Sequence, residues 1–542
     1  MKTPHFKNPV FYVSASIVSI LVLIGAFMPA AFGSVAEQLF LFTTDNFGWF
    51  YLISVFVIIL FLIYLAISRF GKIRLGGEEE RPEYPFFTWI GMLFSAGFGV
   101  GLVFWGVAEP MTHFFETPFP DVEGQSEEAA RIAMGYSFFH WGISQWSVFA
   151  IVGLVVGFMQ FRRNDAGLIS KAMEPVTGRK PIVTNTIDSF AVIATVMGVA
   201  TSLGLGVLQM NGGISSVTDL PNATWMQIAI IIVMFIAYMI SSTTGLDKGI
   251  KYLSNVNLSL CLLLFVFVLI AGPTVFILNA FTAGIGDYLR HFVAYSFRLT
   301  PYEGSVWVRD WTVFYWSWAI AWSPFVGAFV ARVSRGRTIR EYVFGVMVVP
   351  PVIACMWIAA FGGTAVFMDL NQGTDIATAV NEDITVALFQ TYEHLPMTTI
   401  LSVLSLLLIF TFLVTSADSA SFILGSMTSK GSLTPPLVLK LVWGVLISAI
   451  AGVLLLAGGL DALQTASLVS ALPFTVIMLI MIMAIFKLIR KEPVPISKRE
   501  LKHFKRVAME SEKSDIPPEG YEEEQEAQDT DDHSSEDDQD KK

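Results

Sequence analysis

Charge and cysteine are what this chain is short of. Only 15% of its 542 residues are Asp, Glu, Lys or Arg, against 54% hydrophobic, and its mean hydropathy is +0.62. That excludes a soluble protein of this length. Its 2 cysteines, Cys261 and Cys355, both sit inside apolar runs. They form no disulfide framework and no cysteine-ligated metal site. No Ser/His/Asp arrangement, phosphate loop or His/Cys ligand spacing is found, so neither an enzyme nor a cofactor is expected. The net charge of -11 lies largely after Val507 and implies no nucleic-acid partner. No small-residue cleavage site precedes a polar mature sequence, so the first apolar run is read as a retained span.

What is present is a series of apolar runs, each near the ~20 residues that cross a bilayer. They fall at roughly 10–31, 48–68, 88–109, 134–159, 187–213, 225–242, 251–279, 310–333, 342–365, 396–420, 437–457 and 463–487. This predicts an all-α polytopic membrane protein with twelve spans. Lys and Arg collect in alternate gaps, at Arg69 to Arg81, Arg162 to Lys180, Lys248 to Lys251 and Arg332 to Arg340. Cytoplasmic loops carry that excess, so both termini are expected in the cytoplasm. The loop carrying Arg290, Arg298 and Arg309 breaks the trend and predicts an amphipathic helix on the outer face. Residues 487–506 are basic and suit an anionic lipid surface. From Val507 onward the chain is acidic, poor in apolar residues and predicted to be disordered.

Two spans carry helix breakers, which are tolerated at membrane depth where freed backbone lines a cavity or is buried in protein. In the third, Gly97, Gly99 and Gly101 recur. In the eighth, Pro324 follows Trp322. Each would open one half of an inverted repeat, spans three to seven and eight to twelve, with a site at the midplane. The eighth span also holds Trp311, Trp316, Trp318 and Trp322, and a second tryptophan-bearing stretch runs from Phe139 to Gly153. Two such stretches can share one small desolvated cation, which an indole face attracts by up to ~2 kcal/mol. Glu109 and Asp188 are expected to be structural, His140 to pack on Trp141, and Asp418 to order a helix end. Arg332, Arg335, Arg337 and Arg340 are expected to form a cytoplasmic gate, countered by Glu341 or the acidic tail.

The stretches GFGVGLVFWGVAEP, FFHWGISQW, ATVMGVATSLGLGVLQMNGG, STTGLDKGIKYLSN, FYWSWAIAWSPFVGAFVARVSRGRTIREY, FGGTA and TSADSAS together resemble the betaine/carnitine/choline transporter family over about residues 50–490. The resemblance implies two peripheral helices and a leucine-transporter-like core of five plus five helices. It also implies frequent homotrimers and coupled or exchange transport of solutes bearing a delocalised cation. The corresponding division is a stub at 1–9, peripheral helices at 10–86, a first repeat with the outer helix at 87–309, a second repeat at 310–487 and a tail at 488–542.

The solute site so implied comprises Trp141, Trp146, Phe149, Trp318, Ala319 and Trp322, with Gly97, Gly99, Gly101 and Ser202. Phe149 stands where the family's betaine cage has tyrosine, Ala319 where it has another indole, and Gln145 adds an amide. A wider, more polar cage favours a cyclic zwitterion such as ectoine or hydroxyectoine over glycine betaine, choline or carnitine. The implied sodium site is Thr415 and Ser416 with Phe412, and carbonyls of Ser95 and Phe98. A second pairs Thr195 with Phe325, although its other threonine is Val199 here. Na+ is therefore the expected coupling ion. A channel and an osmosensor without transport are the rival readings.

Overall fold

The computed structural model describes residues 8–494 except Phe98, Gly245, Leu246, Glu303 and Ser305, together with Arg506; the side chains of residues 94–97, 244 and 247–252 lie outside the description. The described residues form helices joined by short turns. In order they are α1 (Pro9–Phe27), α2 (Pro29–Ile67), α3 (Phe86–Gly97), α4 (Gly99–Phe115), α5 (Glu127–His140), α6 (Ile143–Gly157), α7 (Ile169–Thr177), α8 (Pro181–Val217), α9 (Thr224–Thr244), α10 (Asp247–Ala271), α11 (Thr274–Ser296), α12 (Phe314–Val333), α13 (Ile339–Gln372), α14 (Ile376–Glu382), α15 (Ala387–Glu393), α16 (Thr398–Thr428) and α17 (Leu437–Ile489). The compact unit ends at Glu492; most of the basic segment and all of the acidic tail lie outside the described residues.

Among the described residues, ten helical stretches are long and apolar enough to cross a membrane. The last, α17, has 53 residues and breaks at Gly459, where φ is 61° and ψ is -129°. Straight, it would reach ~80 Å, far beyond a ~30 Å hydrocarbon core. α3 and α4 carry the third apolar run and part where Gly99 has φ of 32°, at the glycine series. α10 ends at Ala271, earlier than the expected 279, because Pro273 cannot continue it.

Burial separates a core from a periphery. The most apolar stretches of the α5–α6 segment and of α8 are each 94% buried and that of α12 is 89% buried, whereas those of α1, α9 and α10 are 28% buried. An apolar helix with so much surface left over has that surface for lipid.

Pro324 does not break the eighth span, contrary to the expectation. α12 runs through it as a single helix. Proline supplies no N–H to the carbonyl four residues back, and here Ser323 Oγ donates to that carbonyl, Ile320 O, at 2.8 Å. The irregularity lies instead at the start, where Arg309–Val313 form a π-turn.

Three of the four clustered arginines have partners near α2 and α3, while the acidic tail expected to counter them lies outside the described residues. Arg335 pairs with Glu80 at 2.5 Å, Arg337 donates to Tyr84 O at 2.7 Å and lies 4.5 Å over Trp89, and Arg340 donates to Ala66 O at 2.7 Å. Glu341 is occupied in a capping box with Thr338 that starts α13. The loop after α12 is thus pinned to the loop after α2. Glu492 pairs with Arg162 at 2.8 Å and Arg163 at 3.1 Å.

Candidate solute site

α12 presents Phe314, Trp318 and Trp322 at four-residue spacing, which puts them on one face. Their rings form a ladder, Phe314 to Trp318 at 5.8 Å and 2° and Trp318 to Trp322 at 6.1 Å and 16°. Trp316, off that face, packs on Phe139 at 5.3 Å. The glycines of the third span lie against the ladder. A Cβ on Gly101 would stand 2.4 Å from the Trp318 ring and 3.4 Å from that of Trp141, and one on Gly99 3.6 Å from Trp322. Only glycine permits the approach at Gly101.

Trp141 sits in an interruption that the sequence reading missed. α5 stops at His140, Trp141 and Gly142 leave the helical path, and α6 begins at Ile143. Ile143 N–H donates to the hydroxyl of Tyr288 on α11 at 3.0 Å, which satisfies one of the amides freed at the new helix start. Trp141 meets Trp318 edge to face at 6.2 Å and 82°. Its indole N–H donates to Glu109 Oε2 at 3.0 Å. Trp318 N–H donates to Ser202 Oγ at 3.2 Å, and Ser202 is held in turn by Gly198 O at 3.1 Å.

Beside the ladder is a cavity of about 20 Å³ lined by Gly99, Val100, Gly101, Val199, Ser202, Leu203, Trp322, Leu413, Ser416 and Ala417. Such a volume holds one water, far less than a zwitterionic solute. Phe149 contacts Trp322 at 5.8 Å, and Trp146 lies behind it, 5.6 Å from Phe149. Trp146, Ala319 and Gln145 are buried but do not line the cavity.

The expected sodium ligands divide. Ser416 lines the cavity. The Thr415 hydroxyl donates to Thr411 O and Phe412 O, both at 3.0 Å, and accepts from Asn257 Nδ2 on α10 at 3.4 Å. Phe412 is buried. The side chain of Ser95 and all of Phe98 lie outside the described residues, as does any side-chain property of the Gly97 region. Thr195 bonds back to Ala191 O at 2.7 Å, one turn from Val199, and Phe325 sits 6.1 Å from Trp322. Asp418 does not order a helix end. It lies inside α16 and accepts from Ser241 Oγ on α9 at 2.7 Å. Asp188 accepts from Ser170 N at 3.1 Å and Oγ at 2.6 Å, a structural tie to the start of α7.

Glu109 is the residue the sequence reading undervalued. It is fully buried and four donors or potential donors surround it. His140 Nδ1 lies 2.7 Å from Oε1 and His113 Nε2 3.3 Å away, while Trp141 Nε1 and the Tyr315 hydroxyl donate to Oε2. His140 does not pack on Trp141 as expected. It stacks on Tyr315 at 4.6 Å and 16° and bonds Thr312 Oγ1 at 2.9 Å through its other nitrogen.

Glu109, His113 and His140 bring ligand atoms within 4.8 Å of one another, a grouping the search for His/Cys spacing overlooked. The available signal was Glu109 and His113, four apart on one helix face. Two ligands of a tetrahedral metal ion would stand ~3.4 Å apart, whereas Glu109 and His140 are at a hydrogen-bond distance of 2.7 Å. The arrangement is a hydrogen-bonded hub.

Comparison with known proteins agrees with the helical membrane fold. The family model described as the betaine/carnitine/choline family transporter matches residues 9–494. An ectoine/hydroxyectoine transporter of Virgibacillus pantothenticus is 68% identical over 491 residues, covering 91% of this chain and 98% of that protein. The glycine betaine transporter OpuD of Bacillus subtilis (strain 168) is 45% identical over 498 residues, covering 91% and 96%. The osmo-independent choline transporter BetT1 of Acinetobacter baylyi is 37% identical over 499 residues, covering 90% and 94%. The chain belongs to the betaine/carnitine/choline family of membrane transporters.

Proposed function

We propose that the protein is a secondary transporter that imports ectoine and hydroxyectoine as compatible solutes, coupled to Na+. The observation that carries the solute is the 68% identity to an ectoine/hydroxyectoine transporter across 91% of this chain, against 45% to a glycine betaine transporter. The ladder of Trp318 and Trp322 supplies π-faces for a cation spread over an amidine ring. Ser202 gives the same site a polar anchor.

The cavity of about 20 Å³ must widen to admit a solute, so loading parts α12 from the glycine break. Na+ binding at Ser416 and freed carbonyls near Gly99 would stabilise the loaded arrangement. Linkage then requires solute to raise Na+ affinity by the same factor. Spans three, four, eight and nine would move as a bundle against the rest. Counting α3–α4 as one crossing and α17 as two gives twelve crossings and puts both termini on one side, which the Lys and Arg excess makes the cytoplasmic side of the cell membrane. A homotrimer and a basic segment on anionic lipid belong to the same reading.

Uptake of labelled osmolytes in cells expressing the protein tests it. Ectoine should accumulate saturably, lose accumulation when K+ replaces Na+, and resist competition by excess glycine betaine. Complete, high-affinity inhibition by glycine betaine would make the cage a betaine cage. A non-saturating flux would make the protein a channel.

A further inference from the structure

We infer that Glu109 is a positioning residue for the solute site, acting through the indole of Trp141. The inference rests on the reading above that Trp141 belongs to that site.

The geometry is specific. Trp141 stands in the gap between α5 and α6, where no helix repeat fixes its direction. What fixes it is the 3.0 Å hydrogen bond from its Nε1 to Glu109 Oε2, a residue of α4 in the glycine-broken span. The ring so held meets Trp318 edge to face and reaches to the open side of Gly101. Tyr315, three residues before Trp318, donates to the same oxygen. Glu109 therefore ties the third, fourth and eighth spans together at the polar end of the cage.

The donor set fixes the role of one carboxyl oxygen. Trp141 can only donate, and Tyr315 donates as well, so Oε2 is an acceptor for both. His140 Nδ1 lies 2.7 Å from Oε1, with its Nε2 at Thr312 Oγ1. With Glu109 ionised, both oxygens accept and His140 donates through Nδ1; a neutral acid would keep Trp141 and Tyr315 on Oε2 and donate through Oε1 to His140 Nδ1, so the charge on Glu109 is part of the inference. A hydrogen bond to a charged acceptor is roughly twice as strong as a neutral one. It also moves electron density from the N–H into the indole ring, which deepens the negative face a cation meets.

Glu109→Gln isolates the charge. The amide oxygen can keep Trp141 and Tyr315, while its NH2 donates to His140 Nδ1 after a change of tautomer that leaves His140 Nε2–H to donate to Thr312. We expect E109Q to raise the half-saturation constant for ectoine about ten-fold, equivalent to ~1.4 kcal/mol, with the maximal rate changed less than about two-fold. In a Trp141→Phe background, which has no N–H, the same change should add less than about two-fold, because residues acting as a unit are not additive. An equal ten-fold effect in both backgrounds overturns the inference, as does a loss of maximal rate with half-saturation unchanged.

Should E109Q fail to reach the membrane, ultraviolet resonance Raman spectra of purified wild type minus W141F decide it. A strongly hydrogen-bonded indole N–H supports the role, and a weakly bonded one overturns it. If the wild type carries glycine betaine and not ectoine, the solute reading falls. The same cycle run with glycine betaine still decides Glu109, since the mechanism needs only a cation.

Discussion

The two ends of the aromatic cluster are held in different ways. At one end, Trp141 and Trp318 are fixed by hydrogen bonds from their N–H groups to Glu109 and Ser202. At the other, Trp322 is packed against Phe149 and Phe325, with Trp146 behind. Hydrogen bonds fix direction, while ring packing fixes volume. Changes at the first end should alter how tightly a cation is held, and changes at the second should alter which shape fits.

The harshest way to break this contrast is to separate the ends from the glycine helix. Gly101→Ala places a methyl 2.4 Å from the Trp318 ring. Overpacking of up to ~3 kcal/mol should cut ectoine uptake on the order of 100-fold, measured as initial rate per transporter at the surface. Next, Trp322→Ala removes one π-face worth up to ~2 kcal/mol and should raise the half-saturation constant about 30-fold, measured by uptake against solute concentration.

The neighbouring hydroxyls of α16 offer a sharper comparison. Ser416→Ala should raise the Na+ concentration for half-maximal uptake about ten-fold, since an oxygen meeting a charge contributes ~1.5–3 kcal/mol. Thr415→Ala should change it less than about two-fold, because that hydroxyl already bonds within its own helix and to Asn257. Between these, Phe149→Tyr restores the tyrosine of the betaine cage at the packed end. It should shift the ectoine to glycine betaine preference about three-fold toward betaine, the range of a modest ~0.6 kcal/mol contact, read by competition.

Much of the architecture was legible because apolar length is a local property. A run of about 20 apolar residues announces a crossing whatever surrounds it, and the break at Gly99 follows from a glycine series within one span. Errors arose where a neighbour decided the outcome. Pro324 looked like a break, but the hydroxyl beside it restores the lost hydrogen bond to Ile320 O. The interruption at Trp141 and Gly142 went unseen because its freed amide is satisfied by Tyr288, far away on α11.

The site shows the same division. Trp318 and Trp322 share a face through helical spacing, so their stacking could be expected. The importance of Glu109 could not, since Trp141 and His140 come from the α5–α6 segment, Tyr315 from α12, and only His113 is local. Thr415 and Ser416 read as a pair in sequence, yet consecutive helical residues point about 100° apart, and the structure sends them to different neighbours.

The account turns on a solute cation held by the α12 ladder and tightened by Na+. Calorimetric titration of the purified protein with ectoine, in Na+ and again in K+, tests this most directly when the Trp318→Ala/Trp322→Ala double variant is measured alongside. Binding at least about ten-fold tighter in Na+ for the wild type, and lost in the variant, is the predicted result. Equal binding in the two salts, or a double variant that binds as the wild type does, would contradict it.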